Sequence, residues 1–152
     1  MTAKQVSEPV IYNRRARHDY QILETLEAGI SLQGPEVKSL RSGNASIAES
    51  FGRLDRNEVF LYNMYIAPYA CSRAEVDPRR RRRLLLHKRE IERISQAVSQ
   101  RGLTLIPLKV YFRRGWAKTE IAIAKARRKF DKREKLRKRI AEREIRRADF
   151  GK

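Results

Sequence analysis

Short segments in which apolar and polar residues alternate recur through the first 125 residues of this chain, and such alternation is the periodicity of β-strands. In YQILETLEAGISL, the apolar side chains fall mainly on every second position, at Tyr20, Ile22, Leu26, Ile30 and Leu32. The pattern is interrupted at Glu27-Ala28-Gly29. We therefore predict two strands that are joined or bulged near Gly29.

Turn residues mark further strands. Residues 46–54 and 59–66 alternate on either side of the turn-like sequence DRNE, which predicts a hairpin. LTLIPLKVYF, which begins at Leu103, and WAKTEIAIA, which begins at Trp116, are rich in β-forming residues and are joined by a basic turn. Pro107 predicts that the first of these two strands is an edge strand or contains a bulge, because proline cannot donate a ladder hydrogen bond.

Two helices are predicted between the strands. The first is short, because PEVKSLRSG begins with Pro35 and stops at Gly43, and such a helix suits the end of a barrel. The second covers residues 84–100 before the terminator Gly102, and its apolar residues have helical spacing: Leu84, Ile91, Ile94 and Val98. Since strands and helices do not alternate regularly, we predict a mainly β fold, an antiparallel barrel with peripheral helices.

The charge of the chain requires a polyanionic partner. Lysine and arginine number 36 against 18 aspartate and glutamate residues, a formal net charge of +18. Nucleic acid fits this excess best, and an acidic membrane surface is the other candidate. No apolar run approaches the roughly 20 residues of a membrane span, and the N-terminal sequence lacks a signal-peptide core. We expect a cytoplasmic protein that does not enter the membrane.

The basic residues are clustered. Arg14, Arg15 and Arg17 precede the first long strand, residues 79–83 are five consecutive arginines in a predicted loop, and Arg113-Arg114 occupy a turn. Any one such cluster is explained as a solvated surface, but several on a small barrel favour RNA. Arginine binds phosphate through two parallel hydrogen bonds and stacks on bases. Among the aromatic residues beside the clusters, Tyr12 and Phe130 suit base stacking, whereas we expect Trp116 to pack in the core.

The composition changes at Ala126. The segment that follows is rich in helix-forming residues, but its apolar residues make too narrow a stripe to dock on a core: Phe130, Leu136, Ile140 and Ile145. We expect this basic tail to be disordered or partly helical when free and helical when it lies against RNA. The predicted organisation is a flexible arm at residues 1–12, an RNA-binding β-barrel at 13–125 and the tail at 126–152.

Catalytic and metal-binding patterns are weak. A hydrolase would start from His18-Asp19 with nearby glutamates, but His18 and His87 are too far apart for a metal-binding helix motif, and the sequence has no nucleophile elbow or phosphate-binding loop. His87 fits the start of the long helix. Cys71 is the only cysteine, which excludes an intramolecular disulfide and a cysteine-built zinc site. We expect neither enzyme activity, nor a cofactor, nor a metal.

Five motifs in order resemble one protein family. They are NRRARHDY from Asn13, EAGISLQGPEVKSLRSG from Glu27, RRLLLHKREI from Arg82, LIPLKVYFRRGWAK from Leu105 and FDKRE from Phe130. Together they closely resemble the SsrA-binding protein family, also called small protein B. The resemblance implies an oligonucleotide-binding-type barrel that grips the tRNA-like domain of transfer-messenger RNA and delivers it to stalled ribosomes in trans-translation. It also implies that elongation factor Tu with GTP takes part in delivery, and that the tail folds in the vacant messenger path.

The resemblance also implies site residues. Matching motif positions gives a set expected to bind RNA: Asn13, His18, Glu27, Gln33, Glu36, Lys38, Arg41, Leu85 and Lys118. It gives a second set, in the tail, expected to contact the ribosome: Phe130, Asp131, Lys132 and Arg133. The chain departs from the family pattern at Ala126-Arg127-Arg128, where glycine is common, and this predicts a stiffer hinge before the tail.

Three of the expected site residues have alternative explanations. Glu27 and Glu36 carry the wrong charge for a phosphate, so each is expected to accept from a base or a 2′-hydroxyl or to orient an arginine. For Glu36, a favourable charge at a helix N-terminus explains the residue equally well. A place in the core explains Leu85 as well, but the three consecutive leucines cannot all face inward, so one of them is free to pack on a base. A general structured-RNA-binding or ribosome-associated protein stays the alternative function.

Overall fold

The computed structural model describes residues 8–70 and 76–127, together with Arg139, Ile140 and Arg143, which are helical. The described part of the chain forms nine strands and three helices in this order: β1 Ile11–Tyr12, α1 Ala16–Asp19, β2 Tyr20–Ile30, α2 Gly34–Arg41, β3 Ala45–Ser46, β4 Phe51–Asp55, β5 Glu58–Tyr62, β6 Tyr65–Ile66, β7 Arg82–Leu85, α3 Lys88–Arg101, β8 Thr104–Arg113 and β9 Trp116–Ala126. Within these ranges, no helix has the length and apolar character needed to span a bilayer.

The main sheet closes on itself. Its strands follow the order β8, β4, β5, β7, β2, β9, and β9 pairs again with β8, with every pairing antiparallel. β1 adds to β8, and β3 and β6 form a separate small sheet. Closure pairs the edges that an open sheet would expose. The predicted antiparallel β architecture with peripheral helices is confirmed.

The core lies inside the ring. Alternate side chains of the strands point inward, and those of Val59, Leu61, Leu105 and Ile121 are almost completely buried together with Ile94 of α3. A second, smaller cluster lies between α1 and the outer surface of β8 and β9, and it consists of Ala16, Ile106, Leu108, Ala122 and Ala124. The one-turn helix α1 therefore covers one part of the barrel wall.

The two predicted hairpin turns are confirmed, although one hairpin is shorter than predicted. Arg56 and Asn57 connect β4 to β5 with φ values of 49° and 63°, the left-handed conformation that matches the twist of a two-residue hairpin. Arg114 and Gly115 connect β8 to β9 in the same way, with φ values of 51° and 80°. Residues 46–54 are not one strand, because Ala45–Ser46 pairs with Tyr65–Ile66 in the small sheet.

The predicted interruption at Gly29 is wrong. β2 is a single strand of 11 residues, and its irregularity lies between Ile22 and Glu24. Gly29 serves a different purpose, since a Cβ at this position would lie 3.2 Å from the Cβ of Leu85 on the neighbouring strand. The glycine permits the close approach of β7 to β2.

The long helix is shorter than predicted, since Leu84 belongs to β7 and α3 begins only at Lys88. Leu84 has the spacing of a helix but pairs with Val59 and Ile30 in the barrel. Pairing with distant strands therefore decided that this residue is in a strand and not in a helix. His87 is the residue before the helix, as predicted, and its N–H donates to Glu90 Oε1 at 3.0 Å. Gly102 ends the helix with a φ of 62°.

Pro107 marks a bulge, one of the two predicted alternatives. The pairing of β8 with β9 shifts between Pro107 and Lys109. The edge-strand alternative is wrong, because β8 pairs with β9 on one side and with β1 and β4 on the other. The bulge accommodates the missing N–H inside an otherwise paired strand.

Candidate RNA interface

Leu85 and Lys118 meet on the outer surface of the barrel on either side of Gly29. Gly29 pairs with Leu85 of β7 and with Lys118 of β9, which brings three strands together at this point. Leu84 is buried, whereas Leu85 is 54% exposed, as the alternation of a strand requires. A groove of about 520 Å³ and one of about 410 Å³ open on this surface, and the smaller one is lined by both Leu85 and Lys118. An apolar side chain and a cation at one groove suit a base and its phosphate.

Glu27 lies two residues before Gly29 on β2 and orients its neighbours. Its carboxylate accepts from the Tyr111 hydroxyl and, at 3.2 Å, from Arg113 Nη1. The hydrogen bond from Tyr111 lowers the pKa of Glu27, burial opposes this, and Arg113 and Lys118 lower the pKa further. Burial and the bond to Glu27 raise the pKa of Tyr111 to about 12. Glu27 is therefore an ionised acceptor that holds an arginine, one of the roles expected of it.

Helix α2 presents three more of the expected residues to solvent. Gln33 precedes the helix, and Lys38 and Arg41 are exposed on it. Lys38 Nζ lies 5.3 Å from the ring centre of Tyr69, and Arg41 Cζ lies 5.1 Å from that of Phe112. Cation–π contacts of this kind restrict the cations while leaving their charge available to a phosphate.

Glu36 faces inward and is only 4% exposed. Its carboxylate accepts from the Gln33 N–H at 3.0 Å, from Arg80 Nε at 3.1 Å and from Arg82 Nε at 2.7 Å. Burial acts to raise the pKa of Glu36, but the bonds from Arg80, Gln33 and Arg82 outweigh it and hold the pKa below its ordinary value. Glu36 thus anchors the first turn of α2 to the arginine run.

The prediction that all five arginines lie in a loop is wrong for Arg82 and Arg83, which belong to β7, and Arg82 is completely buried. Its Nε and Nη2 bond to Glu36 Oε2, its Nη1 donates to the carbonyls of Met64 and Arg80, and its Nη2 also donates to that of Pro78. Strand alternation explains the difference, because Arg82 and Leu84 face inward and the residues between and after them face outward. Within the run, the exposed members are Arg79, Arg81 and Arg83.

Asn13 lines a second groove, the larger of the two, whereas His18 is not among the residues that line it. Asn13 Nδ2 donates to the Pro107 carbonyl at 3.1 Å, which ties the N-terminal segment to the bulge of β8. This groove is lined by three cations, an aromatic ring and their neighbours: Tyr12, Asn13, Arg14, Arg17, Leu108, Lys109 and Glu120. His18 is exposed nearby, with its Nδ1 at 3.1 Å from Asp19 Oδ1. Lys118 lines the smaller groove and Glu120 lines the larger one. These two residues are two positions apart on β9 and therefore point to the same side of the sheet. The two grooves are neighbours on one surface.

Trp116 corrects another prediction, because it is 73% exposed at the β8–β9 turn and does not pack in the core. Trp116 is the first residue of β9, so it lies at the end of the barrel and outside the core. The hydrogen bond of Tyr111 to Glu27 and the contact of Arg81 Cζ with the Phe60 ring, at 4.2 Å from its centre, were not anticipated. Both rings occupy outward positions of alternating strands. The expected tail contacts, Phe130, Asp131, Lys132 and Arg133, lie outside the described residues. Within the described residues, no group of three or more acidic, histidine or cysteine side chains is arranged to hold a metal ion.

The chain is similar to known proteins over most of its length. The family model of the SmpB protein matches residues 10–149. The SsrA-binding protein of Caldicellulosiruptor saccharolyticus is 56% identical over 135 residues, which cover 88% of this chain and 85% of that protein. The SsrA-binding protein of Thermus thermophilus is 52% identical over 139 residues, 90% of this chain and 96% of that protein.

A solved structure resembles the chain as well. It is described as "tmRNA-SmpB: a journey to the center of the bacterial ribosome", and the matching chain is 54% identical with a TM-score of 0.68. The match covers 85% of this chain and 95% of that chain.

Proposed function

Since this chain belongs to the SmpB protein family, we propose that it binds transfer-messenger RNA and acts with it on bacterial ribosomes in trans-translation. The observation that carries this proposal is the meeting of Leu85, Gly29 and Lys118 on one outward surface beside the Glu27–Arg113 pair. Motif residues that are far apart in the sequence form one groove there. The exposed apolar side chain of Leu85 lies beside cations, and this combination suits an unpaired base with its phosphate.

The finer function that we propose is recognition of the tRNA-like domain. Lys118 and Arg41 would contact phosphates, Leu85 would pack on a base, and Gln33 would hydrogen-bond at the start of α2. Glu27 and Glu36 would act by orienting Arg113 and Arg80, because both carboxylates already accept from arginines. Asn13 would hold the N-terminal segment so that Arg14, Arg17 and His18 face the same RNA.

On the ribosome, the chain would act as an adaptor without a chemical step of its own. The basic tail would fold against ribosomal RNA, with Phe130 stacked on a base and Asp131-Lys132-Arg133 setting its register. Elongation factor Tu with GTP would deliver the complex, and the cytoplasm would be the site of action. The net charge of +18 supports strong association with RNA, while selectivity must come from the surface described above.

RNA selectivity tests this proposal. The full chain should bind the tRNA-like domain of transfer-messenger RNA far more tightly than an RNA duplex of equal length and charge, at physiological salt. The RNA that copurifies with the protein should be dominated by transfer-messenger RNA. Equal affinity for both RNAs would instead identify a general structured-RNA-binding protein.

A further inference from the structure

We propose that a second contact for an unpaired nucleotide of transfer-messenger RNA lies on the outer surface of β4, β5 and β7, where three arginines surround Phe60. We call these four residues, Arg53, Phe60, Arg81 and Arg83, the Phe60 platform. The proposal rests on the function proposed above and extends its RNA-binding surface. None of the four belongs to the residues that the family resemblance assigns to RNA.

Strand register brings three members of the platform into one line. Phe60 on β5 pairs with Arg53 on β4 and with Arg83 on β7. The residues on either side of Phe60, Val59 and Leu61, are completely buried, so Phe60 and its partners face outward. An aromatic ring therefore lies between two cations on a sheet surface that no described helix covers.

Arg81 is held over the ring of Phe60. Its Cζ lies 4.2 Å from the ring centre, and its Nη1 donates to Asp55 Oδ2 at 3.0 Å and to the Tyr62 hydroxyl at 3.4 Å. Its side chain is still 51% exposed. A guanidinium held over a ring at this distance, with half of its side chain exposed, offers its outer side to a base. Its hydrogen bonds restrict its rotamers before the base arrives.

The flanking arginines are available for phosphates. The side chain of Arg53 is exposed and makes no hydrogen bond or ion pair with any described residue. Arg83 Nη2 lies 3.3 Å from Glu58 Oε1 in a pair that is about half exposed on both sides. Such a pair is worth little in water and is readily exchanged for a phosphate. Phe51 and Tyr62 stack beside the platform, with ring centres 5.5 Å apart, and rigidify its border.

The platform is continuous with the groove of Leu85 and Lys118. Arg83 and Leu85 are consecutive outward residues of β7, and both line that groove with Lys118. An RNA strand that leaves Lys118 and crosses Leu85 therefore reaches Arg83 and Phe60 next. Continuity with this groove and a three-arginine, one-aromatic chemistry identify the occupant as an unpaired part of the same RNA rather than as an acidic peptide.

Arg81→Lys tests the stacking role, because lysine keeps the positive charge but lacks the planar guanidinium group. We expect about tenfold weaker binding of transfer-messenger RNA, with an unchanged dependence on salt. Arg53→Gln and Arg83→Gln should each lower the slope of log affinity against log salt by about 0.7, the value for one lost single-strand phosphate contact. The control is Arg101→Lys, at the exposed end of α3, which should leave affinity and slope unchanged. Thermal unfolding checks that each variant is folded.

The outcomes separate this proposal from the function on which it rests. If the unaltered chain does not select transfer-messenger RNA, the proposed function fails. The Phe60 platform alone is refuted by a different result. In that case the chain is selective and Lys118→Ala weakens binding, but the folded platform variants bind with unchanged affinity and an unchanged salt slope. These variants are Arg81→Lys, Arg53→Gln and Arg83→Gln. Fluorescence of 2-aminopurine placed at unpaired positions of the RNA gives a second measure, since at least one position should lose its quenching in Arg81→Lys.

Discussion

Lys118 illustrates how a single side chain contributes to this surface. It lies on β9 beside Gly29, faces outward with Leu85 across the glycine, and lines the same groove. Its charge also lowers the pKa of Glu27, so it belongs to the electrostatic network that holds Arg113. Lys118 is thus one of the cations that line the groove beside Leu85.

The first prediction follows from that position. Lys118→Ala should weaken binding of transfer-messenger RNA and lower the slope of log affinity against log salt by about 0.7 to 0.9, because one phosphate contact is lost. Filter binding over a range of salt concentrations measures both quantities. The matched control is Lys88→Ala at the exposed start of α3, where neither should change. An unaltered slope and affinity for Lys118→Ala would remove this residue from the interface.

Glu36 and Arg82 form a buried ion pair that ties the start of α2 to β7. Removing one partner of a buried pair leaves the other charge uncompensated and costs about 3–5 kcal/mol. The folded-state pKa of Glu36 lies below its ordinary value of 4.5. Its ionised form therefore stabilises the fold at pH values above 4.5, and this contribution is lost as the pH falls through the lower, folded-state pKa.

The second prediction concerns that acid sensitivity. The free energy of unfolding of the unaltered chain should fall as the pH is lowered below about 4.5, and Glu36→Gln should reduce the size of this fall while being less stable at pH 7. Urea unfolding at pH 7 and in the acidic range measures how much the free energy of unfolding of each chain falls. Glu49→Gln, an exposed carboxylate between β3 and β4, should behave like the unaltered chain, and an identical fall for Glu36→Gln would contradict the assignment.

At the scale of the elements, glycines decide where strands approach closely. A Cβ at Gly52 of β4 would lie 2.7 Å from the Cβ of Leu105 on β8, closer than side-chain atoms pack. β4 and β8 pair at this point, Gly52 with Leu105. The closure of the ring on this side depends on the absence of a side chain.

The third prediction tests that closure. Gly52→Ala should destabilise the fold by about 1–3 kcal/mol, because the added methyl forces β4 away from β8. Gly34→Ala at the start of α2 is the control, since no atom would lie within 4 Å of the added methyl and the φ of Gly34 is not in the left-handed region. Denaturant midpoints measure both variants, and equal stability of Gly52→Ala and Gly34→Ala would show that the barrel yields at this point.

At the scale of the whole molecule, we expect the barrel and the tail to have separable tasks. The last strand ends at Ala126, and the Arg127 N–H donates to the Asp19 carbonyl at 2.9 Å. This bond fastens the end of β9 beside α1, so the barrel includes Arg127. The core clusters among the described residues draw on strands and helices up to β9.

The fourth prediction uses this boundary. A chain that ends at Arg127 should keep its thermal unfolding temperature and its selective binding of transfer-messenger RNA, while tagging of nascent chains on stalled ribosomes should be abolished. Phe130→Ala in the full chain should impair tagging in the same direction. A large loss of barrel stability in the shortened chain would show that the tail docks on the core.

The strand periodicity and the turn residues are local features, and they sufficed for the mainly β architecture and for both hairpin turns. Alternation also indicated that the three leucines at 84–86 cannot share one environment. These predictions succeed because backbone propensity and side-chain alternation act over a few residues and leave a direct trace in the sequence.

Only the tertiary structure decided which segments pair and which charges are buried. Leu84 has helical spacing but lies in β7, because Val59 and Ile30 provide strand partners. Arg82 looks like its four neighbours in the sequence, yet a carboxylate 46 positions away and three carbonyl groups satisfy it in the interior. Burial and long-range pairing depend on residues that are distant in the chain, so no local pattern distinguishes a buried arginine from an exposed one.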